Sequence, residues 1–318
     1  MVGLGLLVAL LARTGLSSVW SALQQADWGQ VCVAGLVAAL VLLNNSMRWV
    51  YLGRCIQPDA SARGLVSAYL TTSFLSNLTP GRLGELTGPL LMEYRGGVPR
   101  VQGAAIIVVD RITDLMLVAS LSLGSAFYVV HYTQRGDDIG TGMYWGATVL
   151  LGLGAGLIAL IVLSQSSAQN KPLDRAPPPQ GGFEGLRSKV FSLLGELRAA
   201  LGQVITPQRL VCVTLLAAVG WSLQLIGVYV VVNAFTPISF LHSAVCHTAS
   251  IIAGLVSMVP GGVGVTTTGY VVMAGMFGYD WERIVPAGIV YLVLVHCLRF
   301  VFSLLGEGLH HTHTNPTV

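Results

Sequence analysis

Charged residues are scarce in this sequence. Asp, Glu, Lys and Arg together make up 10% of its 318 residues, whereas apolar residues make up 53%. A typical soluble domain carries roughly 25% charged residues, because its whole surface must be wetted by water. The scarcity of charge excludes a soluble globular protein and predicts an integral membrane protein.

Features of several other protein classes are also missing. The formal net charge of +3 is too small to indicate a nucleic-acid partner. The five cysteines are odd in number and mostly lie in apolar runs, which indicates small buried side chains rather than a disulfide framework. The sequence contains no G-x-S-x-G, H-E-x-x-H or P-loop motif and no metal-ligand spacing. We therefore expect no enzymatic activity, no cofactor and no metal ion.

Long apolar runs are abundant, and a run of about 20 residues is long enough for one membrane-spanning helix. Five runs qualify: Trp28–Met47, Val101–Tyr132, Met143–Leu163, Leu210–Phe235 and Ile284–Leu305. The opening run Met1–Leu11 is too short to cross alone, and the amphipathic stretch from there to Gln25 is expected at the membrane interface. The predicted fold class is an all-α integral membrane protein built as a helical bundle.

Two Pro-Gly breaks, about 180 residues apart, interrupt apolar stretches. Residues 77–85 read NLTPGRLGE, and residues 257–264 read SMVPGGVG. The legs that follow the breaks are too short to cross a membrane, so each region is predicted to be a re-entrant hairpin. Such irregular backbone survives at membrane depth only where protein or a wet cavity covers it. The alternative is that each break is a kink or a short loop between two spans.

Basic residues indicate which loops face the cytoplasm. Five of them flank the first two loops: Arg48, Arg54, Arg63, Arg95 and Arg100. Six more lie between positions 164 and 209. If all three regions are cytoplasmic, the two hairpins enter from opposite faces and form an inverted repeat. Paired short segments of this kind are typical of a transporter's binding site.

The charge pattern divides the chain into three parts. Residues 1–164 form a first membrane half whose hairpin tip lies near 80–85, and residues 165–209 form a cytoplasmic linker. Residues 210–318 form a second membrane half with a tip near 260–264 and a polar tail that ends in the cytoplasm. Within the linker, apolar residues recur at helical spacing over Phe183–Leu201. This predicts either a basic amphipathic helix on the inner leaflet or a plain spacer between the halves.

Several charges lie inside apolar segments, where an ionised side chain is costly unless it is paired. The run VVDRITDLM places Asp110 and Asp114 one turn apart on one helix face, with Arg111 three residues before Asp114. One acid is expected to neutralise Arg111 while the other meets Arg82 or Arg299. The cluster either takes part in a binding site or only fixes helix packing.

The first tip is predicted to be an anion site. Arg82 follows Pro80 and Gly81 at the start of the second leg, where free amide groups and the helix dipole favour a negative ligand. Its planar guanidinium suits phosphate. The predicted binding residues of this tip are Asn77, Gly81, Arg82, Gly84 and Glu85. Alternatively, Arg82 and Glu85 only pair with each other or reach the interface.

The second tip carries no charge. Its predicted binding residues are Gly261, Gly262, Gly264, Thr266 and Thr267. The hydroxyl groups either hydrogen-bond a headgroup or donate back to their own helix. On the last apolar run, His296 and Arg299 share a face, and Arg299 is either a further cation of the site or a residue that reaches the interface.

The motifs NLTPGRLGEL, VVDRITDL and VPGGVGV, together with the Arg48-Trp49 pair, resemble the lysylphosphatidylglycerol-synthase transmembrane region, a flippase-like family of integral membrane proteins. The likeness covers nearly the whole chain in order and spacing. It implies a multi-helix bundle with re-entrant elements that moves a lipid between leaflets. No aminoacylating activity is carried over.

We therefore expect a lipid transporter in the inner (cytoplasmic) membrane that moves a phosphate-bearing lipid between leaflets. Its expected partners are anionic or phosphate-bearing membrane lipids. The alternative is a non-transporting scaffold for a lipid-modifying enzyme. A homodimer and a partner lipid-synthesis enzyme are both left open.

Overall fold

The chain is described here by a computed structural model that covers residues 2–132 and 183–314, together with part of 141–156. The described residues form helices and turns and contain no strand, which confirms the predicted all-α fold class. The elements are α1 (Val2–Thr14), α2 (Leu16–Gln25), α3 (Trp28–Ile56), α4 (Ala62–Leu78), a 3-10 segment (Pro80–Thr87), α5 (Gly88–Leu91) with a π-turn (Met92–Gly96), α6 (Arg100–Tyr132), α7 (Phe183–Val204), α8 (Pro207–Asn233), α9 (Phe240–Ser257), a 3-10 turn (Pro260–Gly262), α10 (Val265–Met276) and α11 (Trp281–Thr314).

Four described helices are long and apolar enough to cross a membrane: α3, α8, α9 and α11. Helices α1 and α2 meet at an 80° bend and together could form a fifth, broken span. Large apolar side chains cover the outside of the bundle, and Leu36, Leu215 and Leu305 are 69%, 61% and 57% exposed. A contiguous apolar exterior is stable in lipid but not in water. The protein is therefore a multi-pass integral membrane protein.

The predicted spans differ from the helices in extent. Three of them fall within α3, α8 and α11, apart from the last two residues of Leu210–Phe235, and Val101–Tyr132 lies within the continuous helix α6. Most of the predicted span Met143–Leu163 lies outside the described residues. Helix α9, which sequence analysis assigned to a hairpin leg, is itself long enough to cross.

Helix α3 is nine residues longer than its apolar run indicated. It begins at an Asp27 cap, whose carboxylate accepts hydrogen bonds from two first-turn amides, and it ends at Ile56 rather than Met47. Arg48 is consequently an internal helix residue and only 1% exposed. The prediction that Arg48 flanks a cytoplasmic loop is wrong. The apolar run ends at this charged residue, whereas the helix continues to Ile56.

The first Pro-Gly break is the tip of a helical hairpin. Helix α4 leads to the break, and the chain returns through the 3-10 segment, α5 and the π-turn. The base is closed where the Ser61 amide donates to the Gly96 carbonyl at 3.0 Å. Gly64 lies directly against the Arg95 carbonyl, where a Cβ atom would not fit. The two legs are thus packed along their length; entry of this hairpin from one membrane face stays a prediction.

The second Pro-Gly break has the same form. Helices α9 and α10 lie side by side, and the Ser243 hydroxyl and the Tyr270 hydroxyl are 2.8 Å apart. At the base, His242 Nδ1 lies 2.9 Å from the Tyr279 hydroxyl, and its ring stacks on Phe277. Both hairpins therefore close at their bases and project a Pro-Gly tip.

The order of elements repeats along the chain: a long helix, a hairpin and a second long helix occur as α3 to α6 and again as α8 to α11. Helices α3 and α8 pack together, with the Asn44 amide donating to the Leu216 carbonyl at 2.9 Å. Gly220 allows this approach, since a Cβ atom there would lie 2.8 Å from the side chains of Asn44 and Asn45. The opposite orientation of the two halves in the membrane stays a prediction.

Helix α7 covers the amphipathic stretch predicted in the linker. Its last turns join the core of the bundle, where Ala200, Leu201 and Val204 are buried in the same cluster as Leu52 on α3 and Val213 on α8. Leu193, two to three turns earlier, is 56% exposed. This end of the linker is packed into the bundle rather than lying free, whereas residues 165–182 are outside the described part of the chain.

Candidate functional site

The two hairpin tips touch each other. The Gly81 amide in the first tip donates to the Met258 carbonyl in the second tip at 3.2 Å. Gly261 lies so close to the first hairpin and to α11 that an added Cβ atom would be 3.2 Å from the Asn77 carbonyl oxygen and 2.6 Å from His296 Nε2. Two breaks that are about 180 residues apart in sequence therefore meet in the middle of the fold.

A cavity of about 350 Å³ opens where the tips meet. Its volume is that of a site for a small molecule or a headgroup. Nine residues that sequence analysis proposed for binding line it: Asn77, Gly81, Arg82, Arg111, Asp114, Gly261, Gly262, Thr266 and Arg299. Further lining residues that sequence analysis did not identify include Asn45, Tyr69, Trp221 and Gln224. Helices from both halves thus contribute to one site, whose lining combines these polar residues with apolar ones such as Ile251 and Leu255.

One wall of the cavity carries Arg111 and Asp114, which belong to an ion cluster on α6 and α3, whereas Asp110 lies behind them and does not line the cavity. Asp110 forms ion pairs with Arg48 and, at 2.7 Å, with Arg111. Asp114 pairs with Arg48 at 2.8 Å and with Arg111 at 3.4 Å. The Trp221 indole N–H adds a hydrogen bond of 3.3 Å to Asp114. Two acids and two arginines therefore neutralise each other, as a buried ionic group requires.

The cluster has a different partner from the predicted one. We expected the second acid to meet Arg82 or Arg299, but the structure brings Arg48 to both acids. Arg48 was missed because it lies one residue past the end of an apolar run and was interpreted as a loop marker. Two acids on one helix face with a single neighbouring cation are one charge short of balance, and this was the signal that a further arginine had to be near.

Arg82 and Glu85 pair with each other at 2.9 Å, and Glu85 also reaches Arg111 at 3.4 Å. The Arg82 side chain is 49% exposed and lies on the cavity, so this pairing does not bury its guanidinium. Its backbone has φ 60°, a left-handed conformation that is uncommon for a residue with a side chain. Such strain occurs at ligand sites and hinges.

The amides of the first tip are not free, contrary to the prediction. Gly81 donates to Met258, Arg82 donates to the Thr79 carbonyl at 3.3 Å, and Gly84 donates to the Thr79 hydroxyl at 2.7 Å. The physical reason is that the second leg starts as a tight 3-10 segment instead of an α-helix, so the tip satisfies its own backbone. Gly84 is buried against Leu75 and does not line the cavity.

The second tip presents backbone rather than hydroxyl groups. Helix α10 begins after Gly264 without a side-chain cap, so its first amides receive no side-chain partner at that cap. The Thr266 hydroxyl donates to the Gly262 carbonyl at 2.9 Å. Of the two predicted uses of the threonine hydroxyls, this is the one in which the hydroxyl bonds back to its own chain. Thr267 is buried against Gly288 and, like Gly264, lies outside the cavity lining.

Arg299 is a cation of the cavity that takes no part in the ion cluster. It lines the cavity from α11, and no ion pair or hydrogen bond to it occurs among the described residues. Its Nε atom is buried without a partner. One turn earlier, His296 Nδ1 bonds to the Leu292 carbonyl at 2.8 Å, while Nε2 faces Gly261 without a partner in the described chain.

The comparisons with known proteins agree with a lipid-related membrane protein. Residues 1–306 match the family described as the lysylphosphatidylglycerol synthase TM region. A UPF0104 membrane protein of Methanothermobacter thermautotrophicus is 23% identical over 272 residues, which cover 83% of this chain and 80% of that protein. Another, from Pyrococcus horikoshii, is 23% identical over 287 residues, covering 83% and 82%. With nearly every residue of the bundle matched, this chain belongs to the family of the lysylphosphatidylglycerol synthase transmembrane region.

Proposed function

We propose that this protein binds the phosphate of a lipid headgroup in the cavity between the two hairpin tips and moves that lipid between membrane leaflets. The observation that carries the proposal is the unpartnered guanidinium of Arg299, on the same cavity as the exposed guanidinium of Arg82. Planar guanidinium groups bind phosphate oxygens in pairs, and such bonds are shorter and stronger than neutral ones.

The charge of the cavity supports an anion as the ligand. Within the described chain, four arginines and three carboxylates lie in or beside it: Arg48, Arg82, Arg111 and Arg299 against Glu85, Asp110 and Asp114. One positive charge is therefore left over. An uncompensated charge in the middle of a membrane is unfavourable by about 2.5 kcal/mol or more. A single phosphodiester would balance it, whereas a cationic ligand would add to the excess.

The contact between the tips supports movement of the bound lipid. A backbone hydrogen bond from Gly81 to Met258 joins the tips, and residues on both sides of that bond have positive φ values. A few loop residues or residues at the ends of helices, such as these, can absorb the rotation of a hinge. In our proposal the two hairpins part at this bond and open the cavity to one leaflet and then to the other.

The test is lipid movement by purified protein in vesicles. We would follow a fluorescent phosphatidylglycerol, labelled on one chain, by its protection from a reductant that does not cross the membrane. Because a hydrogen bond to a charged group contributes about 1.5–3 kcal/mol, Arg299→Gln and Arg82→Ala should each slow this movement by about tenfold or more. Arg54→Gln is the matched control, since Arg54 lies on α3 outside the cavity and bonds only to the Ala60 carbonyl among the described residues.

The same assay separates transport from the scaffold alternative. A scaffold for a lipid-modifying enzyme would not move lipid when it is the sole protein in the vesicle. Movement that is lost in Arg299→Gln and kept in Arg54→Gln supports the proposal. If wild-type protein moves no lipid, or if both cavity variants move it at the wild-type rate, the proposal is wrong.

A further inference from the structure

A second, apolar cleft adjoins the polar cavity. It lies between α3, α8 and α11, and the two spaces share Gln224 and Arg299. Apart from these two residues and Tyr291, its lining is aliphatic or glycine: Val37, Ala38, Val41, Leu42, Leu223, Gly227, Val295 and Leu298. The cleft is narrow, with a volume of about 50 Å³ against about 350 Å³ for the cavity.

All three helices change from apolar to polar in the same direction. Along α3, residues 37–42 line the cleft, and Asn45, one turn later, lines the cavity. Along α11, residues 291–298 line the cleft and Arg299 ends it. Along α8, Gly227 lines the cleft, Gln224 lines both spaces, and Trp221 lines the cavity. Cleft and cavity therefore adjoin each other, and the chemistry of their linings changes at Gln224 and Arg299.

The cleft is not closed off from the surroundings of the bundle. Most of its lining residues are partly exposed, among them Val41 on α3, Leu223 on α8 and Val295 on α11. In a membrane such exposed leucine and valine side chains contact lipid chains. The cleft is thus positioned between the polar cavity and the hydrocarbon of the bilayer.

Gln224 is a polar side chain at the junction between the cleft and the cavity. Its side-chain amide nitrogen lies 3.1 Å from Nε2 of the buried His247, so the amide group donates to the imidazole. His247 in turn packs edge-on against Tyr291, with ring centroids 6.1 Å apart. The junction residue is thereby held in place by a partner on α9, and the guanidinium of Arg299 lies beside it on the same boundary.

Resting on the function proposed above, we infer that a hydrocarbon chain of the lipid leaves the phosphate site through this cleft: a short segment of the chain lies in the cleft while the phosphate binds Arg299, and the rest of the chain stays in the bilayer. The cavity alone has room for a headgroup but not for the chains of a lipid. A chain kept in the polar cavity would lose the apolar surroundings that it has in the bilayer. The cleft gives the chain apolar surroundings beside the phosphate site. The substrate therefore reaches the cavity laterally from the membrane rather than from water.

The experiment compares two ligands with the same headgroup. Binding of dioleoyl phosphatidylglycerol and of its deacylated form, glycerophosphoglycerol, is measured with purified protein in detergent by native mass spectrometry. Wild type should bind the long-chain compound more tightly. Ala38→Phe fills the cleft and should weaken binding of the long-chain compound by about tenfold while binding of the deacylated compound changes less than about twofold. Val295→Phe fills it from the opposite wall and should act in the same way.

Leu36→Phe is the matched control, since Leu36 is on the same helix but faces outward, 69% exposed. It should leave both affinities unchanged, and unchanged binding of the deacylated compound shows that a cleft variant is folded. If Ala38→Phe and Val295→Phe both keep the wild-type affinity for the long-chain compound, or if wild type binds the two compounds equally, the cleft does not hold the chain. If neither compound binds to wild type, the headgroup proposal fails and this inference fails with it.

Discussion

Replacing Arg48 by methionine should destabilise the protein by about 3–5 kcal/mol, the usual effect of removing one partner of a buried ion pair. Arg48 is 1% exposed and bonds to both Asp110 and Asp114. Without Arg48, the carboxylate of Asp110 is paired with Arg111 alone. Because the Asp110 side chain is only 2% exposed, water cannot replace the lost partner. The midpoint of thermal unfolding in detergent measures the change.

Two further variants show whether the lost pair is responsible. Arg54→Met removes an arginine from the same helix at an exposed site, so its stability should stay within about 0.5 kcal/mol of wild type. The double variant Arg48→Met with Asp110→Asn removes both partners and should recover much of the stability, since an apolar and neutral replacement of a buried pair is often close to neutral. A stable single variant, or a double variant as unstable as the single one, would contradict this account of the cluster.

The cluster also illustrates what could be predicted from the sequence. The spacing of Asp110, Arg111 and Asp114 was enough to place them on one face, because helix geometry is local. The partner could not be obtained in this way. Arg48 is 62 residues from Asp110, and only the packing of α3 against α6 brings them together. Hydropathy also placed the end of α3 too early, because a neutralised arginine has the same hydropathy value as a free one.

The hairpin tips also show which features could be predicted from the sequence and which could not. Two Pro-Gly breaks in apolar runs were sufficient to predict two hairpin tips, since a proline followed directly by glycine is a strong turn signal, whereas single residues such as Pro286 are accommodated inside a helix. The hydrogen bonds of the first tip could not be predicted. The hydroxyl of Thr79 accepts the Gly84 amide, and a left-handed Arg82 shapes a 3-10 segment, so the amides expected to bind an anion are engaged. The anion site therefore depends on side chains more than on the backbone of that tip.

Replacing Gly261 by alanine should separate the two tips. Gly261 has φ 60°, a conformation that is unfavourable for alanine by about 1–2 kcal/mol. An added methyl group would also overlap His296 Nε2 at 2.6 Å and press on the Asn77 carbonyl at 3.2 Å. Overpacking of this kind destabilises by about a further 1–3 kcal/mol. We expect a lower unfolding midpoint, together with lipid movement at least tenfold slower in the vesicle assay.

Gly278→Ala distinguishes the contact from the backbone strain. Gly278 follows α10 in the same half, has φ 84°, and has no atom within 4 Å of an added Cβ. Alanine there should therefore carry the conformational penalty without the overlap and without opening the tips. If Gly261→Ala is no more harmful than Gly278→Ala in stability and in lipid movement, close contact between the tips is not needed. A larger effect of Gly261→Ala in both measurements means that the hairpins must meet at this glycine for the cavity to form. The residues of the tip contact, Gly81, Met258 and Gly261, also line the cavity.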